Sequence, residues 1–212
     1  MPQGKGIVSP GGCGNGVKCP TNPRGAGRHR RAGGTGNSWE GPTLPDDDLR
    51  TRLLEFDGVA VSILSEAQAV WRDREGFLDA LVDLSFDPSG HLSDGATWIL
   101  KAELEDGTEL TPDRTEKLVS SLDSLTSWQS VLHICQMIER VSLSEPQAGR
   151  VIRWAQTHTG HKRPFVRAWS LHAIVVLGRA FPNYRQDAEA ALAKGEADKA
   201  ASVRARARRL RQ

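Results

Sequence analysis

Apolar residues recur at steps of three and four positions from residue 77 to the end of the chain, which is the spacing of one face of an α-helix. The first stripe ends before Pro88 and consists of Phe77, Leu78, Leu81, Val82 and Leu84. Further stripes lie within residues 98–104, 118–125, 128–138, 151–155, 166–181, 184–194 and 199–211. Residues 59–64 fit a strand or the start of an apolar helix equally well. The pattern predicts about eight helices and an all-α fold.

Polar residues with the spacing of helix caps precede several of these stripes. Thr111 is followed by Pro112, which combines a capping hydroxyl with a proline at the first helical position. Ser144 and Gln147 have the spacing of a capping box. Ser93 is a candidate N-cap for the helix that follows it. We therefore expect helices to begin at these three points.

The helical part of the sequence repeats itself. Residues 98–102 match residues 169–173, and residues 130–134 fall between them, at offsets of 32 and 39 positions. Residues 165–168 return as residues 202–205, 37 positions later. A period in the thirties with two helices per unit is typical of an α-solenoid, in which stacked helix pairs share a core.

Two of these segments resemble HEAT repeats. Val166-Arg167-Ala168 precedes an apolar helix, and residues 198–205 place an acid before a second Val-Arg-Ala sequence. The resemblance covers roughly residues 75–212 and implies a short right-handed, armadillo-like solenoid of about four helix pairs. It also implies an adaptor surface more than an enzyme, although the fold alone fixes no activity.

Composition divides the chain into two parts. Residues 1–45 hold 12 of the 21 glycines, 6 of the 11 prolines and six basic residues with one acid. So few apolar side chains cannot offset the entropy of ordering the backbone, and we expect a disordered basic leader. A solvated tail, or a gene start placed too far upstream, is favoured for this segment over an arm that touches RNA or an acidic partner. Residues 46–212 form the predicted helical repeat domain.

Charge is segregated along the predicted repeat domain. Residues 46–143 carry a net charge of −12 and residues 144–212 a net charge of +9. The candidate binding surface lies in the basic part and comprises Lys162, Arg163, Arg167, Arg204, Arg208 and Arg211. The last three residues share one row of the final helix, opposite its apolar face. They are either a stripe that contacts phosphate or an acidic partner, or the polar cap that a terminal repeat needs for solubility.

No motif for catalysis, cofactor binding or metal binding stands up in the sequence. Cys13, Cys19 and His29 match no common zinc site. His158 and His161 have a spacing that permits a shared metal, but solvated residues at a helix end explain them better. Cys135 is expected to be a small buried core residue. We therefore predict no cofactor and no metal.

Six tryptophans leave a choice between core and surface. Five of them fall in the helical region, and Trp98 and Trp169 occupy equivalent repeat positions. Packing in the core is the favoured interpretation. An aromatic surface that stacks on bases or holds a partner is the other interpretation.

These observations favour a non-enzymatic, cytoplasmic scaffold that binds another protein. No stretch approaches the roughly 20 apolar residues of a membrane helix, and no secretory signal precedes Leu44. The alternative is a nucleic-acid-binding helical repeat protein that uses the basic C-terminal half. A more remote alternative is a glycosylase-like activity on alkylated bases, with Trp154 or Trp169 stacking on the base.

Overall fold

A computed structural model describes residues 45–212, and their side chains from residue 48 onward. The predicted leader, residues 1–45, lies outside this range except for its last residue. The described part contains ten α-helices. They are α1 (Pro45–Leu54), α2 (Val61–Trp71), α3 (Phe77–Leu84), α4 (Leu92–Glu105), α5 (Pro112–Ser120), α6 (Trp128–Met137), α7 (Glu145–His158), α8 (Pro164–Ala180), α9 (Arg185–Glu196) and α10 (Ala201–Arg211).

The prediction of an all-helical fold is confirmed over the described residues, which form helices and no strands. The ambiguous segment 59–64 resolves as the loop before α2 and its first turn. Helices α1 and α2 are additional to the eight predicted from apolar periodicity. Helix α1 does not show that pattern because its sequence, PDDDLRTRLL, is mostly polar, and Leu49 and Leu53 are the buried residues among its described side chains, residues 48–54.

Two of the three predicted helix starts are confirmed. The Thr111 side chain accepts a hydrogen bond from the backbone N–H of Arg114, and Pro112 opens α5. The Gln147 side chain accepts from the backbone N–H of Ser144, which completes a capping box at α7. Both caps satisfy N–H groups that a helix start leaves without intrahelical partners.

The predicted cap at Ser93 is wrong. Helix α4 begins one residue earlier, at Leu92, and its N-cap is His91. The Ser93 hydroxyl instead donates to the carbonyl of Ser85 at 2.6 Å and lies 2.7 Å from the Ser130 hydroxyl of α6. A tertiary contact to the neighbouring helix has taken the place of the local cap.

The helices pack in chain order in two rows. From α4 onward the even-numbered helices contact one another in sequence, α4 with α6, α6 with α8 and α8 with α10. Among the odd-numbered helices, α3 contacts α5 and α5 contacts α7. Contacts between the rows include those of α3 with α4, α7 with α8 and α9 with α10. The even row therefore presents four consecutive helices side by side.

Neighbours in the even row run in the same direction. Arg163, just before α8, lies over the ring of Trp128 at the start of α6. Near the other end, Arg179 of α8 donates to the backbone carbonyl of Leu210 in α10. The N-terminal ends of neighbouring even helices lie together, and so do their C-terminal ends. Side chains at equivalent positions of successive even helices therefore lie next to one another.

Side-chain contacts between neighbouring helices join residues about one predicted period apart. In the even row, Ser130 donates to Asp94 and Thr97 contacts His133, each pair separated by 36 positions. In the odd row, Arg114 donates to Asp79 and Arg150 to Glu116, at separations of 35 and 34. The separation matches the length of chain that forms two helices and their connections.

The core runs between the two rows and is built from buried aliphatic side chains. Fully buried members with the largest side chains include Leu64, Leu81, Leu100, Leu118 and Ile134. Helix α8 is the most enclosed, with eleven buried residues among its seventeen. Among the described residues, no helix is long and apolar enough to cross a membrane.

Helix α8 approaches α9 closely at Gly178. A Cβ atom at this position would lie 2.6 Å from the backbone oxygen of Tyr184 and 2.6 Å from the Cβ of Ala188. Gly178→Ala should lower the free energy of unfolding by about 1–3 kcal/mol, because the backbone must move to admit the methyl group. Gly160→Ala is the control, since a Cβ there meets nothing within 4 Å. Equal urea midpoints for the two variants would contradict this packing.

Candidate binding face of arginine and tryptophan

Arg167 does not belong to an exposed binding surface, which corrects one of the predicted site residues. It is 6% exposed, and its guanidinium donates to both carboxylate oxygens of Asp198 at 2.8 Å. It also donates to the backbone carbonyls of His161 and Lys162. The side chain therefore ties the start of α8 to the loop before α10, and four of its five N–H donors are already used within the chain.

Arg204 repeats part of this arrangement 37 residues later. Its guanidinium donates to the backbone carbonyls of Asp198 and Lys199 at 2.7 and 2.9 Å. These carbonyls lie six and five residues before it, as His161 and Lys162 do before Arg167. Arg204 is only partly exposed and fixes the turn into α10. Its first role is therefore structural.

The remaining predicted residues divide between paired and unpaired cations. Arg211 is exposed but forms ion pairs with Glu189 and Glu196, at 2.7 and 3.0 Å. Arg208 and Lys162 are exposed, and their side chains make no hydrogen bond or ion pair within the described part of the chain. The predicted row of Arg204, Arg208 and Arg211 is thus not a uniform stripe of free positive charge, because two of its three guanidinium groups already have partners.

Arg163, the last of the predicted residues, stacks on a tryptophan of the neighbouring helix. Its guanidinium carbon lies 4.0 Å from the ring centroid of Trp128, within the range of a cation–π contact. Trp128 is the first residue of α6 and Arg163 is the N-cap of α8. The two residues are 35 positions apart in the sequence.

A second arginine stacks in the same way one helix further on. The guanidinium carbon of Arg206 in α10 lies 3.9 Å from the ring centroid of Trp169 in α8. These residues are 37 positions apart. In both pairs the tryptophan belongs to one even helix and the arginine to the next, so the arrangement is repeated by the packing of the even row.

Helix geometry adds three more side chains along α8. Phe165, Trp169, His172 and Val176 are spaced by four, three and four residues, so they lie on one side of the helix. Phe165 is 65% exposed, the highest exposed fraction of any aromatic side chain in the described range. We call the surface formed by Trp128, Arg163, Phe165, Trp169 and Arg206 the Arg–Trp face. His172 is 8% exposed and packs edge-on against Trp169.

The Arg–Trp face is positively charged at its α10 side. Burial lowers the pKa of Arg206, and the neighbouring Arg209 lowers it further. Burial also lowers the pKa of His172, against the opposing effect of Glu139, whose carboxylate lies 3.2 Å from the His172 Nε2. Glu139 acts in the opposite direction on the pKa of both groups, and it already contacts the histidine. The cations here exceed the acids that face them.

The six tryptophans do not share one role. Trp154 is a core residue, 5% exposed. Trp71, Trp98, Trp128 and Trp169 are partly exposed and pack against the edge of the core. Trp39 lies outside the described residues. Core packing, the favoured interpretation, therefore holds fully for Trp154, whereas the other four pack against the core and also expose part of their rings.

The cysteine and histidine of α6 are packed among other side chains, with Cys135 buried in the core and His133 partly buried. Burial raises the pKa of Cys135 to about 12, and its sulfur lies 3.7 Å from the Ser170 hydroxyl. Burial lowers the pKa of His133 to about 4. Across the described residues, no cluster of three or more His, Cys, Asp or Glu side chains is arranged to hold a metal ion. Cys13, Cys19 and His29 lie outside that range.

A groove between α5 and α7 is a second concave feature. It is lined by apolar and polar side chains that include Val119, Asp123, Arg150, Arg153 and Trp154. Arg150 already donates to Glu116 at 2.6 and 2.7 Å, and the groove contains the acid Asp123 as well as Arg153. This groove has less unmatched charge and less exposed aromatic surface than the Arg–Trp face.

Comparison with protein family models, with curated proteins and with solved structures finds no match to this chain. The case for its function therefore rests on the geometry of its own residues.

The sequence contained a signal for the Arg–Trp face that periodicity alone did not reveal. Trp128 and Arg163 are separated by 35 residues, and Trp169 and Arg206 by 37. A search for tryptophan followed by arginine at one repeat period would have found both pairs. The prediction from position on the last helix alone left out Arg206. It included Arg211, which is already paired with Glu189 and Glu196.

Proposed function

We propose that this chain is a HEAT-like α-solenoid that acts as a non-enzymatic cytoplasmic scaffold and holds another protein on its Arg–Trp face. The fold part of this proposal is supported by the order of packing. Four even helices lie side by side, and contacts join residues one period apart. The shared carbonyl contacts of Arg167 and Arg204 support equivalent units at α8 and α10.

The observation that carries the functional proposal is the pair of arginines stacked on partly exposed tryptophans. Tryptophan and arginine are enriched among the residues that dominate protein–protein binding energy, because they combine large contact area with directed hydrogen bonds. Stacking at 4.0 and 3.9 Å holds both guanidinium groups in place before a partner arrives. A group held in its bound position loses less conformational entropy on binding.

Charge distribution favours a protein partner over a long nucleic acid. Nucleic-acid surfaces need a continuous row of cations along the phosphate backbone. Here Arg167, Arg204 and Arg211 are already engaged by acids or carbonyls of the same chain. Residues 46–143 carry a net charge of −12, which would repel a strand laid along the whole row of even helices.

Photo-crosslinking from the face tests the proposal. Phe165 can be replaced by the photoreactive aromatic residue benzoylphenylalanine, which has a similar shape and keeps the fold undisturbed because the side chain is exposed. Ala190, exposed on α9, provides the control position. In extract of the native cell, irradiation should give a discrete adduct from position 165 and not from position 190.

The nature of the adduct separates the candidate functions. We expect a band that is removed by protease and unchanged by nuclease. An adduct that nuclease removes would support the nucleic-acid alternative instead. Identical adduct patterns at positions 165 and 190 would mean that the Arg–Trp face has no partner of its own.

A further inference from the structure

Arg163 and Arg206 stack on tryptophans of a neighbouring helix and lack a carboxylate partner, whereas seven other described arginines have one. Arg74 also lies over a tryptophan ring, but that ring belongs to Trp71, three residues before it. Ion pairs to aspartate or glutamate engage Arg50, Arg52, Arg72, Arg114, Arg150, Arg167 and Arg211. The side chains of Arg163 and Arg206 form no hydrogen bond or ion pair with any described residue. Each is instead held over a ring.

This arrangement leaves the strongest donors of both arginines free. A guanidinium group carries its N–H donors in its plane, so a tryptophan ring stacked on one side leaves the edge open to a ligand. A carboxylate matches that edge with two parallel hydrogen bonds. The geometry thus provides two positioned carboxylate receptors on one face.

The charges around Arg206 also favour a ligand that carries a carboxylate. Arg209 lies close enough to lower the pKa of Arg206, and the nearby Glu139 is in contact with His172. Lys162 adds another exposed cation next to Arg163. A ligand carboxylate placed between Arg206 and Arg209 would relieve their mutual repulsion.

The two receptors lie over rings of adjacent helices, Arg163 over Trp128 of α6 and Arg206 over Trp169 of α8. One interhelical distance of about 8–10 Å and about five residues of helical rise, about 7.5 Å, separate the two rings. An extended peptide advances about 3.3 Å per residue, so about three or four residues would cross from one receptor to the other. Phe165, on the exposed stripe of α8 that such a peptide crosses, offers an apolar contact between them.

We propose that the Arg–Trp face binds an extended acidic segment of a partner protein, with two carboxylates about three or four residues apart and an apolar residue between them. Arg163 and Arg206 bind the carboxylates, and Phe165 contacts the apolar residue. This proposal rests on the proposed function, since it names the class of partner that the same face would hold.

Selection from a displayed library of random twelve-residue peptides on the full chain tests this specificity. Recovered peptides should be enriched in aspartate and glutamate around an aliphatic or aromatic residue. A recovered peptide, labelled with a fluorophore, is then titrated by anisotropy against variants. Arg163→Gln with Arg206→Gln should weaken its binding by about tenfold or more, the loss typical of removing dominant contacts.

The matched control removes the same charge elsewhere. Arg185→Gln with Arg208→Gln changes two exposed arginines that make no hydrogen bond or ion pair with described residues. This variant should bind the peptide within about twofold of the unmodified chain, since neither arginine stacks on a tryptophan of the Arg–Trp face and exposed charges are screened by salt. Urea unfolding of both double variants should give midpoints close to that of the unmodified chain, because neither change removes a buried group.

Other outcomes overturn the inference in distinguishable ways. Peptides without an acidic excess that still depend on Arg163 and Arg206 would refute the acidic class and leave the protein-binding function standing. Equal binding of the selected peptides to the two double variants would refute both the acidic class and the protein-binding function. Recovery of no binding peptide would refute both as well. A single-stranded oligonucleotide that binds more tightly than any selected peptide, and loses binding in the face variant, would assign the face to nucleic acid.

Discussion

Replacing Arg167 with alanine should lower the free energy of unfolding by about 3–5 kcal/mol, the cost of leaving one member of a buried ion pair without its partner. The side chains of Arg167 and Asp198 are only 7% and 14% exposed. The substitution also removes donors from the carbonyls of His161 and Lys162. A loss of this size is a large fraction of the stability of a domain of this length.

Urea unfolding of three variants measures this effect. Asp198→Asn should also destabilise strongly, because the Arg167 charge would then be buried without a counter-charge. Arg208→Ala, on an exposed arginine with no partner among the described residues, should change stability by less than about 0.5 kcal/mol. An Arg167→Ala midpoint equal to that of Arg208→Ala would show that the Arg167–Asp198 pair does not hold α8 to the loop before α10.

The same pair predicts a pH dependence. Hydrogen bonds from Arg167 lower the pKa of Asp198 from 3.8 to about 2. A carboxyl group with a depressed pKa in the folded state adds stability above its unfolded pKa, and that stability is lost as the pH falls through the folded value. The unmodified chain should therefore lose more stability than Arg167→Ala between about pH 4 and pH 2. Parallel losses in the two proteins would contradict this assignment.

Trp154→Ala is expected to be the most damaging tryptophan substitution. Trp154 is 5% exposed within the core of α7, and removing a buried tryptophan costs about 3–5 kcal/mol. Trp169→Ala should cost less, about 1–2 kcal/mol, because part of the ring faces solvent and its main polar contact is the stacked Arg206. Thermal and urea unfolding of both variants measure the difference.

For binding at the Arg–Trp face, Trp169→Ala should be the more damaging of the two substitutions. Trp169→Ala releases the Arg206 guanidinium from its stacked position, so binding at the Arg–Trp face should weaken although the fold remains. A Trp169→Ala variant less stable than Trp154→Ala would reverse the assignment of core and face. Trp169→Phe, which keeps a ring under Arg206, should recover most of the binding.

Local signals in the sequence predicted the helices and several of their ends. The caps at Thr111 and Ser144 depend on residues within four positions, and both formed as expected. The cap at Ser93 did not form, because its hydroxyl reaches Ser130 on another helix. Contacts between helices decide such cases, and a sequence pattern read within one helix does not contain them.

The sequence indicated the approximate spacing of contacting residues but not its exact value. Residues 98–102 and 130–134 match at an offset of 32, whereas side chains of α4 and α6 meet at separations of 36 and 37. The difference is one helical turn, which leaves the apolar stripe unchanged. Periodicity of apolar residues therefore cannot distinguish the two alignments, whereas the positions of polar contacts can.

The candidate site was predicted less well than the helices, and the reason is the dual chemistry of arginine. Charge and position on a helix predicted six cations as one surface. Arg167 is a buried structural group and Arg163 a stacked one, although only four positions separate them. Their difference comes from Asp198 and Trp128, which lie about one repeat away in opposite directions.

Affinity capture with three baits tests the central claim most directly. The baits are the unmodified chain, the Arg163→Gln, Arg206→Gln variant and the Arg185→Gln, Arg208→Gln control, each incubated with nuclease-treated extract of the native cell. A protein should be retained by the unmodified chain and by the control, and lost from the face variant. Recovery of the same proteins in equal amounts on all three baits would contradict binding through the Arg–Trp face.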